Sequence, residues 1–379
     1  MLEQSDITLF RDTVRKFLET EVAPHYDRWE REHLLPRELW NMLGAQGLLC
    51  VDMPEAYGGA GADFRLSAVV VEEVARMGFG GLASALSVHS DIVAPYILHL
   101  GSEEQKRRWL PRMVTGEAVG AIGMTEPGAG SDLQAMKTRA TRDGDEFVIN
   151  GQKTFITNGY HCDVLILAAK TDPAAGSKGV TLFTVDTSLP GFECGRRLEK
   201  IGQHASDTAE LFFQDLRVGA EQILGGEGRG FINLMNELPR ERLILGIGGI
   251  AAAEGTLART VAYVQERKAF GQALAQFQNV RFKLAELKAQ IEIHKAFVQQ
   301  CVSRYVAGEL TTTDASIAKL GATDLQSRVA DECLQLFGGY GYMREYPVSR
   351  DFVDARVQRI YGGANEIMKE LIARSLLGR

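Results

Sequence analysis

Along the first third of the 379-residue chain, apolar side chains recur at helical spacing. Leu9, Val14, Phe17 and Leu18 mark a first amphipathic helix, and the same period predicts helices over 37–46, 65–77, 82–100 and 102–115. Ser102 followed by Glu103 and Glu104 reads as a helix start, with carboxylates at the positive end of the dipole. Past residue 119 the texture changes. Residues 121–124, 147–150, 164–169, 180–186 and 209–213 are short apolar or alternating runs separated by Gly, Pro, Asn and Asp, the pattern of strands. From residue 230 the helical period returns, over 231–264, 278–307 and 312–337, with a shorter stretch at 365–377. Helices of about 25 to 35 residues exceed the usual mean of about 12 and suggest a bundle. The pattern therefore predicts an α-helical domain over 1–119, a β domain over 120–225 and an α-helical bundle domain over 226–379.

Composition removes several classes of function. Hydrophobic residues at 45% and charged residues at 24% are an ordinary globular mix, so a disordered chain is excluded. A formal charge of −7 gives no global drive toward nucleic acid or anionic lipid. The longest apolar stretches, 244–253 and 164–169, fall well short of the roughly 20 residues that cross a bilayer, so no membrane insertion is expected. Cys50, Cys162, Cys194, Cys301 and Cys333 are widely spaced and odd in number, which argues against a disulfide framework and a zinc site; no metal is expected. The N-terminus is amphipathic and carries acidic residues, unlike a secretory signal or a transit peptide. A cytoplasmic protein, or a trimmed protein of an organelle matrix, is expected.

Six short stretches carry candidate chemistry. Met124-Thr125-Glu126-Pro127-Gly128-Ala129-Gly130-Ser131-Asp132 leaves a strand through two glycines, either a plain Pro-Gly turn or a nest of N–H groups for an anion or ring edge. Asn150-Gly151 and Asn158-Gly159 read as hairpin-type turns bracketing a short strand that holds Phe155. Gly246, Gly248 and Ala251 have the spacing of a dinucleotide fingerprint, but the preceding segment reads as helix, so close helix packing explains them better. Arg267-Lys268-Ala269-Phe270-Gly271 ends a long helix with cations, ordinary partners of a helix dipole. Residues 335–342 stop a helix in a Gly-aromatic turn. Residues 360–367 form a tight glycine turn before a helix whose first amides could bind an anion.

Together, in this order and spacing, the six stretches resemble the acyl-CoA dehydrogenase family, and its long-chain branch most closely. The resemblance runs from the N-terminal helix to Ala373-Arg374-Ser375-Leu376-Leu377-Gly378. It implies an α+β multidomain fold: an N-terminal helical domain, a central β-barrel or sandwich, and a C-terminal four-helix bundle. It also implies FAD as cofactor, a homotetramer built as a dimer of dimers, and electron transfer flavoprotein as partner. Ile122, Met124, Thr125, Gly130 and Ser131 would cradle the flavin, with Ser131 also near the CoA phosphates. Phe155 matches an aromatic that packs on the flavin, and Thr157 would sit by flavin N5. Arg267 and Phe270 match pyrophosphate and flavin contacts; Gln278 would reach the adenosine side across a subunit boundary. Gln335, Gly338 and Gly339 would hold the adenine end, again across the dimer. Asn365 and Glu366 match the last flavin contact, where Ala364 replaces a common Thr.

The base needs separate treatment. Many members carry Tyr-Glu-Gly-Thr, with Glu as base, where this chain has Tyr361-Gly362-Gly363-Ala364. Glycine cannot take a proton. The long-chain and isovaleryl branches place the base in a Glu-Arg-Leu sequence on a central helix, which Glu241-Arg242-Leu243 matches. On the residues alone, a helical Glu between two arginines reads as a surface salt bridge; the resemblance makes Glu241 the base and Arg242, with Tyr361 and Gly363, a substrate contact. The implied reaction is α,β-dehydrogenation of a long- or branched-chain acyl-CoA to the trans-2-enoyl-CoA in fatty acid β-oxidation. Glu241 would remove the α-proton while the β-hydride passes to the flavin, and the Gly362 N–H would polarise the thioester carbonyl. Glycine at 362 is also expected to remove bulk from one wall of the acyl pocket. Glu366 is the next candidate base. A short branched-chain (isovaleryl-like) dehydrogenase, an oxidase, a nitroalkane oxidase and a non-catalytic acyl-CoA or flavin-binding homologue are the alternatives.

Overall fold

The computed structural model describes residues 3–378; residues 1 and 379, the outer limits of the expected domains, lie outside them. Helices α1 (Gln4–Phe17), α2 (Ala23–Glu32), α3 (Arg37–Ala45), α4 (Phe64–Arg76), α5 (Gly80–Leu86), α6 (Ala94–Leu100) and α7 (Glu103–Val114) form the N-terminal part. Ser102 caps α7 as its sequence suggests, accepting from the Gln105 N–H while the Gln105 side chain accepts from the Ser102 N–H. The single helix expected over 82–100 is a continuous helical run whose middle, Ser87–Val93, is π-helical. Pro95 has no N–H for the carbonyl four residues earlier, and that Asp91 carbonyl accepts instead from Arg240 Nε at 3.1 Å. By length and composition this run alone, among the described residues, could cross a membrane, yet 78% of its apolar window is buried in the fold.

The middle of the chain is one eight-stranded sheet. Strands β1 (Gly120–Gly123), β2 (Arg139–Asp143), β3 (Glu146–Thr157), β4 (Val164–Lys170), β5 (Val180–Asp186), β6 (Phe192–Arg197), β7 (Thr208–Gly219) and β8 (Ile223–Leu224) pair in the order β6-β7-β3-β2-β4-β5-β8, with β1 parallel to β4. Its two halves pair at Arg139 and Lys170, and side chains of both, including Phe147, Ile149, Leu165, Leu167, Phe183 and Leu211, share one core. The hairpin turn lies at Gly144 (φ 64°) rather than at Asn150-Gly151. There the expectation fails: β3 runs on through Gly151, which sits in a bulge against β7.

The last third matches the long helical periods. Helix α8 (Gly230–Glu266) leads through a small hairpin, β9 (Lys268–Ala269) and β10 (Gln272–Ala273), into α9 (Gln278–Val306), α10 (Thr312–Phe337), α11 (Pro347–Gln358) and α12 (Asn365–Leu377). Gly246 and Gly249 press α8 onto α10: a Cβ at either would lie 3.3 Å from the carbonyl oxygen of Ala318 or Ala322. The fingerprint-like glycines are therefore packing residues. On another face of α8, Val71 of α4 lies against Gly248, which brings the N-terminal helices over the stretch that carries Glu241.

Candidate active site

Helix α8 buries three consecutive charges. Arg240 is sealed between Asp52 (2.8 Å), Asp91 (3.4 Å) and the Tyr305 hydroxyl (3.0 Å), with its guanidinium 4.9 Å from the centre of the Phe64 ring. Glu241 is 4% exposed, so the surface salt bridge that its neighbours suggest does not exist. Its carboxylate accepts from the Tyr96 hydroxyl at 2.9 Å. Burial pushes the Glu241 carboxyl up to about 7, against the pull of the Tyr96 hydrogen bond and of the Arg242 charge. Arg242 is also buried, and its Nε has no hydrogen-bond partner.

The glycine turn lies over this stretch of helix. Gly362 (φ 62°) sits where a Cβ would fall 2.3 Å from Leu245 Cδ1, and Leu245 is one helical turn beyond Glu241. Leu245 thus fills the room that glycine was expected to open, so the missing side chain at 362 does not widen the pocket. At Gly363 (φ 90°) a Cβ would lie 3.7 Å from an Arg242 terminal nitrogen. The Gly363 carbonyl accepts from Lys319 Nζ at 2.8 Å. Tyr361 is half-buried, its hydroxyl accepting from Gln203 Nε2 at 3.4 Å, and burial pushes it up to about 12. Asn365 is 1% exposed and turned inward, bonded to Lys319, Thr323 and Asp324 of α10. Its side chain is committed to that packing rather than presented to a ligand. Glu366 is exposed, 3.8 Å from Lys369.

A second group follows β1. The loop 124–132 is folded back by a two-way backbone pair between Glu126 and Ala129. The Glu126 carboxylate accepts from the Thr138 N–H at 3.0 Å and from Lys153 Nζ at 2.8 Å, and both side chains are buried. Lys153 also donates to the Met124 carbonyl at 3.1 Å. Ile122, Met124 and Thr125 are half-buried, while Gly130 and Ser131 are exposed. The register shift between Lys153 and Ile156 turns Phe155 outward at φ 59°, with 68% of its surface exposed, and Thr157 ends the strand half-buried.

The third group is an open cleft of about 480 Å³ lined by Tyr263, Arg267, Gln335, Gly338, Gly339 and Tyr340 among others. The Arg267 guanidinium lies 5.3 Å from the centre of the Tyr340 ring. Phe270, 96% exposed, caps the β9–β10 turn, and Gln278 begins α9 on the surface. Arg267 is the C-cap of α8, its N–H bonded to the Tyr263 carbonyl at 2.9 Å, so it stands at the negative end of the helix dipole, whereas Lys268 already belongs to β9. A Cβ would meet nothing within 4 Å at Gly128, Gly130, Gly338 or Gly339. Open backbone, bare aromatic faces and an arginine suit a flat ring system joined to phosphates. Glu241 and Arg267, however, are separated by the part of α8 from 241 to its C-cap, about 39 Å at 1.5 Å per residue, longer than one extended dinucleotide.

Reasoning from the sequence overlooked Tyr96, Lys319 and the Glu126–Lys153 pair. Tyr96 carried a signal, being a hydroxyl in an apolar helix that needs a buried partner. Lys319 carried one too, as a lysine on a face of small residues, Ala315, Ser316, Ala322 and Thr323.

This architecture and site define a known class, and the chain belongs to the acyl-CoA dehydrogenase family. Its residues 4–117, 121–216 and 228–377 match that family's N-terminal, middle and C-terminal domains. The family comprises flavoproteins, oxidoreductases that act on CH–CH bonds. The chain is 49% identical over 375 residues to the long-chain specific acyl-CoA dehydrogenase of Sus scrofa mitochondria, covering 98% of this chain and 87% of that one. The solved acyl-CoA dehydrogenase of Geobacillus kaustophilus superposes with a TM-score of 0.96 at 48% identity, over 99% of this chain and 98% of that one. A chain in a structure described as the electron transferring flavoprotein of Acidaminococcus fermentans gives a TM-score of 0.96 at 35% identity, covering 100% and 99%.

Proposed function

We propose that the chain catalyses FAD-dependent α,β-dehydrogenation of a long-chain acyl-CoA in fatty acid β-oxidation, with Glu241 as the base and electron transfer flavoprotein as acceptor. The observation that carries this reading is a buried carboxyl, raised to about 7, beside a glycine turn that has no carboxylate of its own. A base with that value is about half ionised at neutral pH and basic enough to draw on a thioester α-proton. Tyr96 orients the carboxylate by donating to it, and Arg242 supplies a buried cation nearby. The Gly362 N–H, free of any side chain above it, donates to the thioester carbonyl oxygen as negative charge develops there. When bound, the flavin supplies the acceptor for the β-hydride.

Thr125, Ser131, Phe155 and Thr157 hold the flavin ring of their own subunit. Arg267, Phe270, Gln278, Gln335, Gly338 and Gly339 lie too far along α8 to reach the same cofactor, and serve the flavin of a second copy of the chain. That division calls for a second copy of the chain, and the family resemblance extends it to a dimer of dimers. The preference for a long chain rests on the 49% identity with the long-chain enzyme, since Leu245 closes the space beside Gly362. The test is anaerobic titration of the purified protein with saturated acyl-CoAs of increasing length. Bleaching of the flavin that is fastest for long chains supports the reading. A yellow protein that binds them all and bleaches with none refutes it.

A further inference from the structure

The turn that presents Gly362 is made from the two most permissive residues available, both at positive φ. Among the described residues neither glycine exchanges a backbone hydrogen bond with another residue, although Tyr361 N–H before them bonds to the Val357 carbonyl and Asn365 N–H after them to the Arg359 carbonyl. The one hydrogen bond that grips the pair comes from a side chain: Lys319 Nζ donates to the Gly363 carbonyl at 2.8 Å. Lys319 is wholly buried on α10, and its second acceptor is Asn365 Oδ1, also at 2.8 Å. Asn365 is itself fixed through Nδ2 to Thr323 and Asp324.

No carboxylate lies within ion-pair distance of this ammonium among the described residues, and Arg242 and Arg359 are the cations that face it. Desolvation, then Arg242 and Arg359, hold its proton affinity down, to about 8, against the opposing pull of the Asp324 and Glu366 carboxylates. Burying an ammonium against neutral acceptors is costly, and an apolar side chain of the same length would serve packing better. The cost is understandable if the cation does something packing does not.

We propose that Lys319 is the positioning residue of this site, anchoring the Gly363 carbonyl so that the Gly362 N–H is held toward the thioester oxygen. The turn is pinned before Gly362 at the Tyr361 N–H and after it at the Gly363 carbonyl, which limits how far the two peptide units between them, one bearing the Gly362 N–H, can swing. A hydrogen-bond donor to developing charge works only if it is fixed beforehand. The inference rests on the dehydrogenase reading above.

The experiment compares wild type with Lys319→Met and Lys319→Gln as flavin-loaded proteins, through two readouts. One is the rate of anaerobic flavin bleaching by a long-chain acyl-CoA, set beside the dissociation constant of that thioester. The other is the red shift of bound cinnamoyl-CoA, a conjugated thioester whose absorbance moves when its carbonyl oxygen is hydrogen-bonded; it needs no turnover. Lys319→Met is expected to bleach at least about 30-fold more slowly, to bind acyl-CoA within about fivefold of wild type and to lose much of the red shift. Lys319→Gln keeps a donor and should recover part of both. A Lys319→Met protein with wild-type rate and red shift overturns the proposal, as does one that merely loses flavin with its rate per bound flavin unchanged. If Lys319→Met does not fold, Lys319→Gln decides: wild-type rate and shift overturn the role, and a partial loss of both at full flavin content supports it. A wild type that never bleaches removes the dehydrogenase reading and the Lys319 role with it, whereas a bleaching wild type matched by its variants removes Lys319 alone.

Discussion

At the scale of single residues, the site turns on how an acid is kept protonatable inside the fold. Glu241 sits at about 7 in the folded protein against 4.5 for a free glutamate. Between those values the folded state retains a proton that the unfolded chain has lost, so folding stability falls as pH rises from about 4.5 through 7. Glu241→Gln should remove that fall: its urea midpoint should exceed that of wild type at pH 7.5 and match it near pH 4.5. Equal midpoints at both would show that Glu241 is not a buried titrating group. Tyr96 acts the other way, since its hydrogen bond favours the carboxylate. Tyr96→Phe should move the rising limb of kcat/KM to higher pH, and a limb that stays in place or moves to lower pH contradicts the assigned contact. Moving the base to position 362 should fail, because Gly362→Glu would meet Leu245 and a left-handed backbone; restored turnover in a Glu241→Gln, Gly362→Glu double variant would contradict this geometry.

Among the elements, α8 organises the molecule by facing α10 through glycines, α4 through Val71 and the glycine turn through Leu245. Gly249→Leu must force α10 outward, so it should cost about 1–3 kcal/mol in chemical denaturation, the usual penalty for overpacking; an unchanged midpoint would contradict the close contact. The long helices were legible because their apolar period persists for many turns, and 312–337 and 365–377 coincide with α10 and α12. What was not legible follows physical rules as well. Half of helix α2 is charged and it shows only Tyr26 and Trp29 to the core, too little for a period to stand out. The Asn150-Gly151 pair looks like a hairpin turn, but pairing with β7 on its other side carries β3 straight through it. Within the site, Glu241 and the glycine turn could be located from local motifs. Tyr96 and Lys319 could not be paired with them, because those contacts span 145 and 44 residues of chain.

Over the whole molecule, the function proposed above assigns Thr125, Ser131, Phe155 and Thr157 to the flavin of one subunit and Arg267, Phe270, Gln278, Gln335, Gly338 and Gly339 to that of a second, since Arg267 lies about 39 Å from Glu241 along α8. Flavin retention should therefore depend on association. Dilution or mild urea that yields monomers should release flavin in step with dissociation, and Arg267→Ala should lose flavin without loss of helicity by circular dichroism. Monomers that keep their flavin would contradict the division. The proposed chemistry stands on Glu241. Its most direct test is the flavin absorbance of wild type and Glu241→Gln on anaerobic mixing with a long-chain acyl-CoA. Rapid bleaching in wild type, slowed by several orders of magnitude in the variant at equal flavin content and thioester affinity, is the expected result. A variant that bleaches as fast as wild type would place the base elsewhere and contradict the central claim.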